Sequence, residues 1–207
     1  MSDLRVIEPP RRGSDTRTRL LRAAVEVLDS GGYASASVAA IAERADVATG
    51  TLYRHFPSKA DLFVEVFRTI ADVELATMED AAATTRSAGE ELAVVVATFA
   101  GRALARPRLV WALVYEPLDP PVDAERLAYR RAWVQRMAAF VRERVERGEL
   151  PDQDPDTTAA ELIGGIAEAL AGPLAPFVGG NADPDAVIAA LTAFCRRAIG
   201  AEPTGIS

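Results

Sequence analysis

The chain has 207 residues, 49% of them hydrophobic, and no long Gly- or Pro-rich tract in its interior. That composition excludes a disordered or fibrous protein and leaves one medium domain, or a small domain joined to a larger one. A net charge of −7 argues against nucleic acid, yet residues 1–60 carry nine Lys and Arg against seven Asp and Glu, while residues 61–207 carry fourteen against twenty-three. Only the N-terminal part, at +2, is not repelled by phosphate on net charge.

Residues 1–14 form a polar, Pro-containing arm with Arg5, Arg11 and Arg12. It has no apolar run of the secretory kind, and it reads either as a solvated tail or as a groove or phosphate contact. A first helix follows, with Leu20, Leu21, Ala24, Val27 and Leu28 on one face and Gly31-Gly32 ending it. Val38, Ile41, Ala42 and Ala45 then repeat at i, i+3, i+4 and i+7, the period of a second buried helical face. Ser37 is its expected N-cap, because the hydroxyl accepts from an otherwise unpaired N–H of the first turn. Asp46-Val47 interrupts this helix. Leu52 and Phe56, at i and i+4, make the next apolar stripe, and Thr49, Gly50, Thr51, Tyr53, Arg54 and His55 around them are small or polar. A helix held from behind by apolar residues and polar in front is what reading a DNA groove requires.

Residues Ser37 to Lys59 therefore predict a helix-turn-helix. The run Ile41-Ala42, Gly50-Thr51-Leu52-Tyr53, His55-Phe56 and Ser58-Lys59 resembles the tetracycline-repressor (TetR) family of transcriptional regulators, in detail over about Asp15 to Phe67. The chain departs from that pattern twice. Asp46 stands where the turn usually has Gly, and Asp tolerates a left-handed backbone better than most residues. Ala48 stands where the recognition helix usually begins with Ser and cannot cap, which leaves the cap to Thr49 or a water.

The resemblance implies base contacts from Thr49, Gly50 and Thr51 and phosphate contacts from Tyr53 and Lys59, with Val38 on the same DNA-facing set. Ser37 can cap its helix and touch phosphate at once. His55, the single histidine, is read either as a phosphate contact or as packing beside Phe56. Arg44 and Arg54 supply electrostatic support. Lys59 is the one lysine among twenty-two arginines, placed just before the fourth helix.

Beyond the motif, Ser58 and Asp61 have the spacing of a capping box for a long fourth helix with Leu62, Val66, Ile70 and Val73 inward. Leu92, Val95, Val96 and Phe99 mark a fifth helix, stopped near Pro107. Residues 109–115 are apolar all round and predict a short buried helix. Pro117, Pro120 and Pro121 precede a long amphipathic helix from about Asp123 to Arg147, ended by Gly148. Asp154-Pro155 and Asp183-Pro184 each place a capping Asp before a proline suited to the first helical position, starting helices over about 155–171 and 184–199. Glu168, Pro173 and Pro176 interrupt the nearly uncharged residues 162–180, which argues for a buried helix and against a membrane span. The expected fold is all-α with about nine helices: an arm over 1–14, a helix-turn-helix domain over 15–61, and a ligand-binding and dimerisation domain over 62–207.

In the acidic remainder, Phe99, Trp111, Tyr115, Trp133, Met137 and Phe140 concentrate aromatic and soft apolar surface. Core packing explains most of them. The resemblance implies a small-molecule pocket among the middle helices, for which Phe99, Trp111, Tyr115, Trp133 and Met137 are the candidates; Arg102, Arg106, Arg130 and Glu116 read equally as charged partners of a ligand or as solvated helix faces. Gly164, Gly165, Ala169, Ala190, Leu191 and Phe194 lie on the last two helices. By resemblance these make a four-helix dimer interface, against the plainer reading of tight packing inside one chain.

Cys195 is alone, which excludes a multi-cysteine metal site and fits a reducing compartment. No metal-ligand or nucleophile-base spacing is present, so neither cofactor nor metal is expected. The leading expectation is a cytoplasmic, homodimeric, ligand-responsive DNA-binding regulator, usually a repressor of a near-palindromic operator, with no membrane attachment and no enzymatic activity. The alternatives are a helical enzyme for a small apolar substrate and an interaction protein whose DNA-binding head has lost its function. HExxH, GxSxG and phosphate-loop patterns are all missing, which weighs against the enzyme.

Overall fold

A computed structural model describes residues 15–85, 87–175 and 183–201. The arm with Arg5, Arg11 and Arg12 lies outside the described residues. Among the described residues there are nine helices and no strands: α1 Thr16–Ser35, α2 Val38–Arg44, α3 Thr49–His55, α4 Lys59–Ala82, α5 Ala88–Ala105, α6 Pro107–Val114, α7 Pro120–Glu146, α8 Pro155–Leu174 and α9 Pro184–Ala198. The expected all-α class holds. No helix among them is long and apolar enough to cross a membrane.

The chain divides into two compact units. The first is built from residues up to Glu74, Arg106–Ala128 and the end of α8; the second from Leu75–Ala105, Tyr129–Pro173 and the α9 region. The first unit is thus not a simple N-terminal segment, because α6 packs on α1.

In the first unit, Asp15 caps α1 by accepting from the Arg17 N–H at 3.3 Å. Leu20, Leu21, Ala24, Val27 and Leu28, the predicted inner face, are all buried. Gly32 breaks the helix with φ of +73°. α6 is tied to α1 at both ends. At its start, Arg106 donates from Nε and Nη2 to Asp29 Oδ2 at 3.1 and 2.8 Å. Past its end, Glu116 accepts the Tyr33 N–H at 2.6 Å and Asp119 accepts the Tyr33 hydroxyl at 2.8 Å. Burial first, then the bond to Asp119, pushes the Tyr33 phenol well above its ordinary pKa, so it remains a donor throughout the physiological range. Arg126 Nη1 satisfies two carbonyls where α6 ends, those of Val114 and Glu116, each at 3.0 Å.

The prediction of α6 as buried all round needs correction. Leu109, Ala112 and Leu113 are buried, but Val114 is 39% exposed, since a helix of eight residues lying on α1 has only one covered face. Pro107, expected as the stop of the fifth helix, is also the first residue of the sixth, where its missing N–H costs nothing.

In the second unit, α5 packs along α9, with Leu92, Val96, Ala100 and Ala103 buried on one and Leu191 and Cys195 on the other. Burial pushes the Cys195 thiol up to about 11, so it remains protonated and unreactive. Arg144 of α7 joins Glu91 of α5 at 2.6 Å to Glu149 at 2.7 Å, with its guanidinium over the Phe140 ring. The capping Asp residues act as predicted: Asp154 accepts from the Thr157 N–H at 2.7 Å and Asp183 from the Asp185 N–H at 3.1 Å. Gly148, with φ of +70°, follows α7.

Gly32 is constrained twice, since a Cβ there would also lie 2.5 Å from Glu116 Oε1. Gly32→Ala is expected to destabilise the protein by more than about 1 kcal/mol, measured as a fall in the urea midpoint with unchanged slope.

Candidate nucleic-acid interface

α2 and α3 are short, and their geometry is set by caps and by what they bury. Ser37 caps α2 as expected, its Oγ accepting the Ala40 N–H at 3.1 Å. Ile41, Ala42 and Ala45 are buried, while Val38 is half-buried at the start of the helix. Asp46 is the only non-glycine residue with positive φ among those described, at +52°. The backbone therefore makes the left-handed turn that a glycine would make, and the Asp46 carbonyl accepts from Arg19 Nη2 at 3.2 Å. The Val47 N–H returns to the Ala42 carbonyl at 3.0 Å, closing the end of α2.

Ala48 is the N-cap of α3 and makes no side-chain hydrogen bond. The Thr51 N–H is satisfied by the Ala48 carbonyl at 2.8 Å. Leu52 and Phe56 are 0% and 2% exposed, and the Arg17 guanidinium lies 5.1 Å from the Phe56 ring centre. The opposite face is open. Thr49, Gly50 and Arg54 are exposed, Tyr53 is 49% exposed, and Thr51 and His55 are half-buried. Arg54 Nη2 donates to Thr51 Oγ1 at 3.2 Å, fixing one guanidinium edge over the first turn. A Cβ on Gly50 would have no atom within 4 Å.

At the start of α4, Ser58 Oγ accepts the Asp61 N–H at 3.1 Å and donates to Asp61 Oδ2 at 2.7 Å. Lys59 Nζ lies 4.1 Å from the centre of the Tyr33 ring and donates to the Tyr33 carbonyl at 3.5 Å. Among the predicted contact residues, the Tyr53 hydroxyl and Arg54 are exposed donors on α3, Lys59 is partly exposed at the start of α4, and α3 begins without a side-chain cap. Such a surface can bond phosphates and base edges. Among the described residues, no group of three His, Cys, Asp or Glu side chains could hold a metal ion.

The aromatic candidates are divided between the two units. Trp111 and Tyr115 stack on each other in the first unit, with ring centres 4.8 Å apart. Trp133 and Met137 belong to the second, where they line a groove of about 150 Å³ with Leu75, Met78, Leu92 and Phe140. Phe99 is half-buried on α5 and is not among the lining residues. The rim is polar: Arg136 pairs with Glu79 at 2.7 Å, and Glu91 stands beside it. Burial raises the Glu91 pKa despite the nearby Arg144. Sequence reasoning passed over Leu75 and Met78, which simply continue the apolar stripe of α4. Arg106 and Glu116, open in the sequence between ligand partners and solvated charges, bond to Asp29 and to the Tyr33 N–H and so tie α6 to α1.

On the last two helices, Ala169 and Ala190 are exposed and Phe194 is 42% exposed. Leu191 is buried in its own chain. Gly165 faces Phe194 within the chain, a Cβ there lying 3.2 Å from Cε1, whereas a Cβ on Gly164 would meet nothing within 4 Å.

Residues 20–66 match the family described as bacterial regulatory proteins, tetR family. The chain is 44% identical over 68 residues to the HTH-type transcriptional repressor KstR of Mycolicibacterium smegmatis, covering 31% of this chain and 33% of that protein. It is 35% identical over 78 residues to the fatty acid metabolism regulator protein of Bacillus subtilis, covering 38% and 40%. These matches span well under half the length of either relative. The fold as a whole is similar to that of a TetR/AcrR transcriptional regulator from Thermobifida fusca, with a TM-score of 0.69 and 25% identity over 92% of this chain and all of that one. It is also similar to FadR of B. subtilis, solved with stearoyl-CoA, with a TM-score of 0.73 and 21% identity over 89% and 98%. Residues 20–66, with their motif and turn geometry, thus match the tetR family of bacterial regulatory proteins, and the fold as a whole is similar to that of TetR/AcrR regulators.

Proposed function

We propose that this chain is a dimeric, ligand-responsive repressor that reads a near-palindromic operator through α3. The observation that carries this reading is the division of α3, with Leu52 and Phe56 sealed behind it and Thr49, Gly50, Tyr53 and Arg54 in front. Thr49, Gly50 and Thr51 contact base edges. Ser37, Val38, Tyr53, Arg54, His55 and Lys59 flank them toward the phosphates. The names of the relatives, two of them regulators of transcription or of fatty acid metabolism, support the same class.

Titration of labelled DNA from upstream of the chain's own coding region tests this. Lys59→Ala is expected to weaken binding to every sequence and to flatten the salt dependence by about 0.9 per head. Thr49→Ala and Thr51→Ala are expected to change which operator is preferred. Affinity and salt slope both unchanged in Lys59→Ala would remove the phosphate assignment.

The groove beside Trp133 and Met137 supports an apolar effector. Its volume of about 150 Å³ lies below the ~300–1,000 Å³ usual for drug-sized ligands. It therefore favours a compact apolar molecule over a chain as long as the stearoyl group that the B. subtilis FadR structure holds. Trp111→Phe leaves Trp133 as the only tryptophan. In that variant a compact aromatic or alicyclic compound that releases operator DNA is expected to change the tryptophan emission, since binding at coupled sites is reciprocal. Release by long-chain acyl thioesters alone would refute this effector class.

Dimerisation through α8 and α9 is supported by the exposed Ala169, Ala190 and Phe194 and by the open position of Gly164. Gly164→Glu is expected to sediment as a folded monomer at micromolar concentration, because its Cβ meets none of the described residues within 4 Å while its carboxylate would be buried unpaired against a partner. A dimer that persists in this variant would place the interface elsewhere.

A further inference from the structure

Lys59 is the chain's single lysine, and its surroundings are more specific than a surface phosphate contact needs. Its ammonium sits 4.1 Å from the Tyr33 ring centre and 5.7 Å from that of Phe63. The two rings meet edge to face, 4.8 Å apart and inclined at 62°. One of the three ammonium donors goes to the Tyr33 carbonyl at 3.5 Å, which leaves two for other acceptors. A lysine side chain left to itself samples many rotamers, and ordering it on binding costs free energy. A ring face beneath the cation reduces that cost before any ligand arrives.

Tyr33 in turn is held by residues far away in sequence. Its N–H goes to Glu116 and its hydroxyl to Asp119, both on the connection between α6 and α7. The left-handed Gly32 brings the Glu116 carboxylate to within 2.5 Å of where a Cβ would stand, so this approach is open only to glycine. Tyr33 is 6% exposed, and its hydroxyl has no part in the surface that faces solvent around α3.

We infer that Tyr33 is a positioning residue for Lys59, and that Glu116 and Asp119 hold the Tyr33 ring under the lysine so that the α6–α7 connection sets how firmly the head grips phosphate. This rests on the proposed role of Lys59 as a phosphate contact. It adds a control point that lies outside the helix-turn-helix, where displacement of residues 116–119 weakens DNA binding without touching α3. The effect is on affinity for every DNA sequence, not on sequence preference.

The single lysine makes the arrangement directly measurable. In full-length protein carrying isotope-labelled lysine, the Lys59 Cε protons are expected to resonate upfield of the free-lysine position, because they lie over an aromatic ring. Tyr33→Leu is expected to abolish that shift, whereas Tyr33→Phe, which retains the ring, preserves most of it. Asp119→Ala, which leaves the ring unanchored, is expected to lose about half the shift and serves if Tyr33→Leu does not fold. In DNA titrations Tyr33→Leu is expected to weaken binding by roughly 2- to 30-fold, the range that a cation–π contact spans. The loss is expected to vanish when Lys59→Ala is already present.

An unshifted Lys59 resonance in the wild-type protein overturns the inference. So does a Tyr33→Leu loss of the same size with and without Lys59→Ala, since a purely structural role would act in both backgrounds. If Lys59→Ala alone leaves DNA binding and its salt slope unchanged, the phosphate reading falls and the positioning role with it. The resonance would then report only a packed lysine.

Discussion

A helix of seven residues with no side-chain cap does not persist in water, because the ordering of its first turn is not repaid over so short a length. α3 is such a helix, and it exists because Leu52 and Phe56 are buried where α3 packs on α1 and α2. The rest of the head follows from that need. Ile41 and Ala42 of α2 supply part of the apolar surface, and Asp46 turns the chain sharply enough for α3 to lie against them. Arg17 covers the Phe56 ring from outside while pairing with Glu65 at 3.2 Å. The polar front is left free of structural duty, which is the condition for its use in recognition.

Charge is distributed in keeping with this. Of the arginines behind the positive excess of the first sixty residues, Arg17 pairs with Glu65, Arg44 with Glu26 and Arg19 with the Asp46 carbonyl. Such exposed pairs contribute little stability individually. They do place cations around the head in fixed positions, and Arg54, His55 and Lys59 are the basic residues of α3 and the α4 start. With so few cations, one head offers DNA few ion contacts and hence weak affinity. Two heads held by a partner subunit would multiply that affinity through effective concentration.

The elements were legible in the sequence where a local rule fixed them. Ser37, Asp154 and Asp183 are caps because their oxygens must find the first free N–H groups, and each does so within three residues. Asp46 was readable as a left-handed position, and it is one. The start of α3 was not, because Ala48 offers no oxygen and the helix begins on tertiary support alone. Which unit each aromatic joins was not legible, because it depends on contacts between distant segments. Trp111 and Tyr115 go with α1 and α6, and Trp133 with Met78 and Leu92. The Tyr33–Asp119 bond spans 86 residues, and no local pattern announces it.

The glycines separate what the chain needs for itself from what it offers to others. Gly32, Gly165 and Gly200 each leave room for a neighbour in the same chain: Glu116, Phe194 and Pro151 respectively. Internal packing accounts for them. Gly50, Gly164 and Gly172 sit inside helices with no atom of the described residues near the missing Cβ, and a helical glycine costs about 1 kcal/mol relative to alanine. Nothing within the fold offsets that cost. At Gly50 the open space lies on the polar front of α3, where a backbone without a side chain can approach a groove wall closely. At Gly164 it lies on α8, the helix that also carries the exposed Ala169. Helical glycines with no neighbour among the described residues thus stand at Gly50 on α3 and at Gly164 and Gly172 on α8, and internal packing does not account for them.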